Sequence, residues 1–146
     1  MDASDFDQVL ERYHHALGGI INRNPELYKQ LYSRRDDATL ANPFAPLGPV
    51  SRGWTQVADT LERAATNFAG GDLIGFDTVA KYLTDQLAYI VEVERFSAKV
   101  GGRTTPAAIA LRVTTIFRRE DGAWRVVHRQ ADTTTSPRPA EAVLGE

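Results

Sequence analysis

Apolar residues recur at three- and four-residue steps in the first half of the chain and alternate with polar residues in the second half. The first pattern is typical of amphipathic helices, and the second is typical of half-buried strands. A stripe that begins at Phe6 predicts a helix over residues 5–22, and the segment after Pro25 predicts a short second helix. A third stripe, from Trp54 to Phe68, predicts a helix that ends at two glycines.

Four segments with alternating polarity follow the third helix, and each predicts a strand. They cover residues 73–84, 86–100, 107–119 and 123–135. A shorter extended segment, "DDATLANPF", precedes the third helix. A turn region with Pro46 and Gly48 lies between this segment and that helix. Helices followed by strands indicate an α+β domain in which helices cover one face of a sheet. We predict one domain over residues 1–135 and a loose tail over residues 136–146.

Composition and charge narrow the classes of partner. The 146 residues suit one domain, and the chain contains no cysteine for disulfides, thiolate catalysis or cysteine metal sites. A net charge of -2 argues against nucleic acid or an anionic membrane as a partner. No apolar run approaches the ~20 residues of a membrane span, and the first residues lack a signal-peptide pattern. We therefore predict a cytoplasmic protein with no nucleic-acid or membrane partner.

Two segments carry a family resemblance. "LYSRRDDATLANPF" and "RREDGAWRVVHRQAD" resemble SnoaL-like polyketide cyclases and ketosteroid isomerase, members of the nuclear transport factor 2-like superfamily. The second segment also resembles the calcium/calmodulin-dependent protein kinase II association domain, although Gln130 replaces a histidine that is common there. The resemblance implies a cone-shaped α+β barrel, a cystatin-like roll of three N-terminal helices on a strongly curved antiparallel sheet. It also implies an apolar pocket between the layers and a homodimer through the outer face of the sheet.

The resemblance to ketosteroid isomerase assigns roles to single residues. Asn42 stands where the isomerase has its catalytic Asp, and Thr115 stands where it has the protonated Asp that stabilises the oxyanion. Asn cannot act as a base, and Thr keeps only one hydroxyl donor, so ketosteroid isomerisation is not expected. Asn42 either orients a substrate or begins the turn before Pro43. Tyr13 matches a tyrosine that binds the ligand oxygen, and the alternative is a core tyrosine; Tyr32 resembles a second pocket tyrosine.

The last hairpin leaves two registers open. A two-residue Asp121-Gly122 loop places Thr115 opposite His128, which then faces the interior and could act as a general base. A three-residue loop that includes Glu120 places Thr115 opposite Val127 and turns Arg129 inward. The resemblance favours this second register, in which His128 faces outward or toward a dimer partner.

Arginines crowd this hairpin, and Glu92 and Glu94 occupy the strand before it. Arg129 either belongs to cross-strand ion pairs on the outer face or reaches into the cone to hold a carboxylate or enolate. The adjacent His14 and His15 point about 100° apart on a helix, so they make a poor metal pair. We assign no metal, and because no phosphate loop or dinucleotide motif is present, we assign no cofactor.

The predicted site is a pocket for a small hydrophobic molecule. The candidate catalytic residues are Tyr13, Asn42, His128 and Arg129, and the candidate lining residues are Tyr32, Trp54, Tyr89, Val91, Val113, Thr115 and Phe117. One hypothesis is a cofactor-free isomerase, cyclase or dehydratase for a hydrophobic carbonyl compound. The other is a non-catalytic ligand-binding or dimeric assembly domain. A base in the pocket, such as His128 or Asp37 beside Tyr13, favours the enzyme.

Overall fold

The structure is a computed structural model that describes residues 3–44 and 49–144. Its elements, in chain order, are α1 (Ala3–Ile20), α2 (Glu26–Leu31), β1 (Thr39–Ala41), β2 (Ser51–Arg52), α3 (Trp54–Thr66), β3 (Phe68–Leu83), β4 (Leu87–Val100), β5 (Ala107–Glu120) and β6 (Ala123–Asp132). A 3-10 helix at Ala140–Leu144 lies in the predicted tail, and its side chains are exposed. The turn residues Pro46 and Gly48 lie outside the described residues.

One six-stranded sheet forms the second layer of the molecule, in the order β2-β1-β6-β5-β4-β3. The strands β3 to β6 make the predicted antiparallel meander. The short β1 pairs with β6 in parallel, so the sheet is mixed rather than wholly antiparallel, and it stays open between β2 and β3. The predicted class, an α+β roll with helices on one face of the sheet, is confirmed.

Aromatic contacts hold α1 on the inner face of the sheet. Phe6 is buried and meets Phe117 of β5 edge-on, with ring centroids 5.0 Å apart, and Trp124 of β6 at 5.5 Å. Val9 and Leu17 continue the buried stripe of α1 along the same face. Each fully buried apolar side chain of this size stabilises the fold by roughly 1.5–3 kcal/mol, and the stripe therefore fixes how α1 lies over β5 and β6.

The end of α1 is shaped by a close approach to β3. A Cβ at Gly71 would lie 2.4 Å from Cγ1 of Ile21, so the Ile21 side chain can lie this close to the backbone of β3 only because residue 71 is glycine. The helix ends at Ile20, two residues before the predicted end, and Arg23 then turns the chain with a φ of 67°. Phe68, predicted at the end of α3, instead begins β3.

The final hairpin combines a two-residue turn with a bulge. Asp121 and Gly122 have φ angles of 52° and 81°, as a type I′ turn requires, and Phe117 pairs with Val126. The next pair is Ile116 with His128, which leaves Val127 as an extra residue in β6. Beyond this bulge both predicted registers are wrong, because Thr115 lies opposite Arg129.

The bulge changes which side chains of β6 face the helices. Before it, Trp124 and Val126 are buried beneath α1, and after it Arg129 and Ala131 are buried on the same face. An uninterrupted strand would have alternated without a change of parity. Arg129 therefore faces the interior because Val127 is inserted, not because of the turn that was expected to place it there.

Candidate functional site

A cavity of about 260 Å³ lies between the helices and the inner face of the sheet. Its wall is mostly apolar, as is usual for small-molecule sites. Aliphatic side chains of α1, α3 and the strands form part of it, and the aromatic part consists of Tyr28, Phe44, Phe68, Phe76 and Phe96. Phe68 meets Phe44 and Phe96 edge-to-face, with centroids 6.0 and 5.8 Å apart. These rings give the cavity flat aromatic surfaces.

An ion pair lies in the wall of the cavity. Arg129 Nη1 donates to Glu94 Oε2 at 2.7 Å, and Nη2 donates to Oε1 at 2.8 Å, so the pair is bidentate. Both side chains are buried, and both line the cavity. Burial lowers the pKa of Arg129, but Glu94 outweighs this effect and holds that pKa well above its ordinary value. The guanidinium therefore stays charged and neutralises the carboxylate.

Tyr13 hydrogen-bonds to the arginine of this pair. Its hydroxyl accepts a hydrogen bond from Arg129 Nη1 at 2.6 Å and shares another with Thr115 Oγ1 at 2.6 Å. Burial raises the pKa of Tyr13 well above its usual range, so the hydroxyl stays neutral. Tyr13 is fully buried and is not part of the cavity wall. Its hydroxyl is used within the protein, to hold the guanidinium in place.

Tyr28 is a polar wall residue that was not among the predicted site residues. It lies on α2, is 1% exposed, and has the Arg129 guanidinium carbon 5.9 Å from its ring centroid. Its buried hydroxyl makes no hydrogen bond with any residue that the structure describes. Burial raises the pKa of Tyr28 to about 12, although Arg129 and Tyr13 lie near enough to oppose this. A tyrosine on the predicted buried side of the second helix was the available signal.

Two of the candidate catalytic residues, Asn42 and His128, present no basic group to the cavity. Asn42 lines the cavity, but its Oδ1 accepts the backbone N–H of Phe44 at 2.9 Å and so forms a turn around Pro43. His128 faces the other side of β6, where Nδ1 lies 2.8 Å from Thr39 Oγ1. Burial lowers the pKa of His128, which favours the neutral imidazole.

The predicted lining is wrong at two positions of β4. Tyr89 and Val91 lie on the outer face of the sheet, and Tyr89 stacks on Tyr82 with centroids 5.8 Å apart. The alternate residues Ile90, Glu92, Glu94 and Phe96 are buried on the inner face. Sequence alternation placed the charged residues outside, but both carboxylates have partners within the protein.

The other predicted lining residues are not part of the cavity wall. Tyr32, Val113, Thr115 and Phe117 are fully buried in the core, and the Tyr32 hydroxyl donates to the Thr39 carbonyl. Trp54 is half-buried at the start of α3, where the Arg34 guanidinium carbon lies 3.6 Å from the centroid of its ring. Asp37 is exposed and binds Arg118 with two contacts of 2.9 Å, so it is remote from the cavity.

Glu92 is the second carboxylate on the inner face. His14 Nε2 lies 3.0 Å from both of its oxygens, and the imidazole stacks on Phe76 with centroids 3.7 Å apart. Because Phe76 lines the cavity, this contact ties α1 to the cavity wall through β3 and β4. Hydrophobic periodicity does not predict this pair, since its members lie 78 positions apart.

Across residues 3–44 and 49–144, no three His, Cys, Asp or Glu side chains come close enough together to hold an ion. The helices in these ranges also lack the length and apolar character needed to cross a membrane. The candidate site is the aromatic cavity, with the Arg129–Glu94 pair and Tyr28 in its wall.

Solved structures with the same fold are numerous. The chain is similar to a nuclear transport factor 2-like superfamily protein from Salmonella enterica serovar Typhimurium, with 17% identity and a TM-score of 0.74 over 95% of this chain and 97% of that one. A candidate dehydratase from Streptomyces avermitilis has 15% identity and a TM-score of 0.71, over 93% and 100% of the two chains. A ketosteroid isomerase-like protein from Erwinia carotovora atroseptica has 13% identity and a TM-score of 0.70, over 92% and 96%.

Identities this low establish the shared fold alone. No curated protein matches the chain. The model of the SnoaL-like domain family matches residues 7–132, which include all of the cavity wall except Thr133. The predicted family resemblance is confirmed, and the chain belongs to the SnoaL-like domain family.

Proposed function

We propose that this SnoaL-like protein binds a small, largely apolar molecule in the cavity. The observation that carries the proposal is the largely apolar wall, whose polar members are Tyr28, Asn42, Glu94, Arg129 and Thr133. An apolar molecule with one polar group would place its body against the phenylalanines and its polar group beside the Arg129–Glu94 pair. Burial of its apolar surface would supply most of the binding energy, at about 25 cal/mol per Å².

The arrangement favours binding over catalysis. Both oxygens of Glu94 already accept hydrogen bonds from Arg129, and His128 and Asp37 lie outside the cavity. A general base must reach the proton that it removes, and it is worth ~10²–10⁴ in rate. Among the described residues, the wall has no carboxylate or imidazole other than this neutralised Glu94.

A cofactor-free isomerase, cyclase or dehydratase acting on a hydrophobic carbonyl compound is the second candidate. The chain of hydrogen bonds from Glu94 through Arg129 to Tyr13 supports it, because a guanidinium held at the cavity wall can polarise a substrate oxygen. Dehydratase- and isomerase-like names among similar structures point the same way. Any compound that binds should therefore be incubated with the protein and analysed for a changed product by mass spectrometry.

A thermal-shift screen of hydrophobic ketones, quinones, steroids and carboxylates tests the binding function. Compounds that bind only the native state stabilise it and so raise the melting temperature. The stabilisation is about 2.7 kcal/mol when the free compound is present at 100 times its dissociation constant. We expect hits with the unchanged protein and loss of those hits in Ala64→Leu, which adds a side chain to the cavity wall on α3.

Ala58→Leu is the matched control for this screen. It makes the same substitution on α3 at a half-buried position that does not line the cavity. We expect this variant to keep every hit. Equal shifts in both variants would show that the compounds bind elsewhere, and an absence of hits in the unchanged protein would count against an open ligand site.

We also propose that two copies of the chain pair through the outer face of the sheet. The support is an exposed apolar group on that face: Tyr82, Leu87 and Tyr89 are 57%, 49% and 39% exposed. Exposed apolar clusters of this kind commonly mark protein–protein contacts. The cytoplasmic location expected from the sequence stays a prediction.

A further inference from the structure

We propose that a second, open cavity beside the tip of the last hairpin binds a small dianionic oxyanion, such as a phosphoryl group. This arginine cavity has a volume of about 530 Å³, and its wall includes Arg34, Arg35, Glu120, Asp121 and Arg125. It lies between the end of α2, the segment that follows α2 and the β5–β6 turn. A ligand here would not touch the apolar cavity, with which the arginine cavity shares no described lining residue.

Two of the three arginines have no carboxylate partner. Arg34 Nη2 donates to the carbonyl of Lys29 at 3.4 Å, and Arg125 Nη1 donates to the carbonyl of Gln30 at 2.6 Å. Neither arginine forms an ion pair with an Asp or Glu in the part of the chain that the structure describes. Since the two carbonyls are adjacent in the last turn of α2, both guanidinium groups converge on one end of that helix. Each guanidinium has five N–H donors, so most of them stay available to a ligand.

The acidic side chains of the wall do not compensate these charges. Glu120 is buried and already accepts hydrogen bonds from Ser33 Oγ at 2.8 Å and from Arg118 Nη2 at 2.7 Å. The side chain of Asp121 is 97% exposed, so water screens its charge. Arg35 lies 3.7 Å from Glu120 and 3.8 Å from Asp121, beyond hydrogen-bond length. Its guanidinium therefore also keeps donors for an anion.

An aromatic ring holds one of these guanidinium groups in place. The guanidinium carbon of Arg34 lies 3.6 Å from the centroid of the Trp54 ring, within cation–π distance. Trp54 is half-buried at the first position of α3, so it gives the arginine a fixed surface. A side chain that is already oriented loses less conformational entropy when it binds a ligand.

The charges select a compact dianion. A guanidinium pairs with phosphoryl oxygens through parallel N–H···O contacts, and two uncompensated guanidinium groups match two negative charges. A monoanion would leave one of them without a partner. An extended polyanion is disfavoured, because Asp121 is exposed in the wall and the whole chain carries a net charge of -2.

Phenyl phosphate and phenyl sulfate test the requirement for two charges. The two esters have the same shape, but at pH ~8 the phosphate is a dianion and the sulfate is a monoanion. Dissociation constants are measured by calorimetry at constant ionic strength, and tryptophan fluorescence in the same titrations reports on the contact between Arg34 and Trp54. We expect phenyl phosphate to bind about tenfold more tightly than phenyl sulfate and to change the fluorescence. Equal affinities, or no binding of phenyl phosphate at ~10 mM, would overturn the proposal.

Inorganic phosphate in a parallel titration identifies the source of the phosphoryl group. Binding as tight as that of phenyl phosphate would support a site for free phosphate, and weaker binding would support a site for a phosphate monoester. Both results agree with the proposed chemistry.

Arg34→Gln and Arg125→Gln locate the site. Each removes one guanidinium from the wall, and each should weaken phenyl phosphate binding by about tenfold. Arg103→Gln is the matched control, because Arg103 is exposed in the β4–β5 connection, at the opposite end of β5 from the arginine cavity. This control should bind phenyl phosphate like the unchanged protein.

Circular dichroism first establishes that each variant is folded, and if one of the two cavity variants is not, the other carries the test. An equal loss in Arg103→Gln would show that phenyl phosphate responds only to the overall charge of the protein. Unchanged affinity in the folded cavity variants would place the anion elsewhere. Either result would refute the site.

Discussion

Two tyrosines near the Arg129 guanidinium differ in how their hydroxyls contribute to the stability of the protein. Tyr13 is bonded on both sides by Arg129 and Thr115, whereas the buried hydroxyl of Tyr28 has no partner in the described residues. The net value of a buried hydroxyl depends on whether its removal leaves other groups unpaired. The pair therefore allows the same substitution to be compared in two hydrogen-bonding environments.

Tyr13→Phe is expected to lower the free energy of unfolding by about 1–3 kcal/mol, because Arg129 and Thr115 each lose a buried partner. Tyr28→Phe is expected to change it by less than about 0.5 kcal/mol or to raise it, because no bond is lost. Urea unfolding at neutral pH measures both. A comparable loss in the two variants would contradict the assignment of hydrogen bonds.

Stability is expected to fall at alkaline pH. Burial raises the pKa of Tyr28 from 10.0 to about 12 and raises those of Tyr13 and Tyr32 in the same direction. Above pH ~10 the unfolded chain therefore binds fewer protons than the folded one, and the free energy of unfolding decreases as pH rises. Tyr28 alone accounts for about 2 kcal/mol by pH ~12.

Urea unfolding of Tyr28→Phe at several pH values checks this dependence. The variant should lose stability less steeply than the unchanged protein between pH ~10 and ~12, since one of the buried ionising groups is gone. Identical pH slopes for the two proteins would mean that Tyr28 ionises equally easily in the folded and unfolded states.

Sequence patterns predicted single residues of the site unevenly. Asn42 and Arg129 do line the cavity, but Tyr28 and Glu94 were not among the candidates. Polar alternation places a glutamate outside by default, because a buried carboxylate is stable only beside a partner. The partners of Glu94 and Glu92 are Arg129 and His14, which lie 35 and 78 positions away in sequence. Only the tertiary structure brings them together.

At the scale of elements, three helices and four long strands were predictable from periodicity, and their order and meander agree with the structure. Strand faces were less predictable. Ala88, Ile90, Phe96 and Ala98 share their parity with Glu92 and Glu94, while Tyr89 and Val91 share the opposite parity. Both faces of β4 therefore carry apolar residues, and hydrophobicity alone selects the wrong one. The bulge at Val127 has no signature in the alternation that precedes it.

The crossing of α1 and β3 allows a matched test of two glycines in one strand. Gly71→Ala would place a Cβ 2.4 Å from Ile21 Cγ1, and we expect a loss of about 1–3 kcal/mol in the free energy of unfolding. Gly75→Ala meets nothing within 4 Å and should be neutral or stabilising by up to about 1 kcal/mol. Thermal or urea unfolding compares them, and equal effects would mean that Ile21 does not press on the strand.

For the whole molecule, the proposed dimer has a direct test. Tyr89→Glu puts a charge in the apolar group on the outer face, and it should convert a dimer to a monomer in analytical ultracentrifugation. Val143→Glu is the control, because Val143 is 86% exposed but lies in the C-terminal 3-10 helix rather than on the sheet. A monomeric unchanged protein at high concentration, or dissociation by both substitutions, would rule out this interface.

The one-residue bulge in β6 divides that strand into one stretch that packs in the core and another that lines the cavity. Upstream of Val127 the even-numbered side chains Trp124 and Val126 anchor the packing, and downstream the odd-numbered Arg129 and Ala131 border the empty volume. A mutant library at position 131 would therefore vary the cavity wall while sparing this packing, whereas a change at position 129 would leave Glu94 buried without its partner.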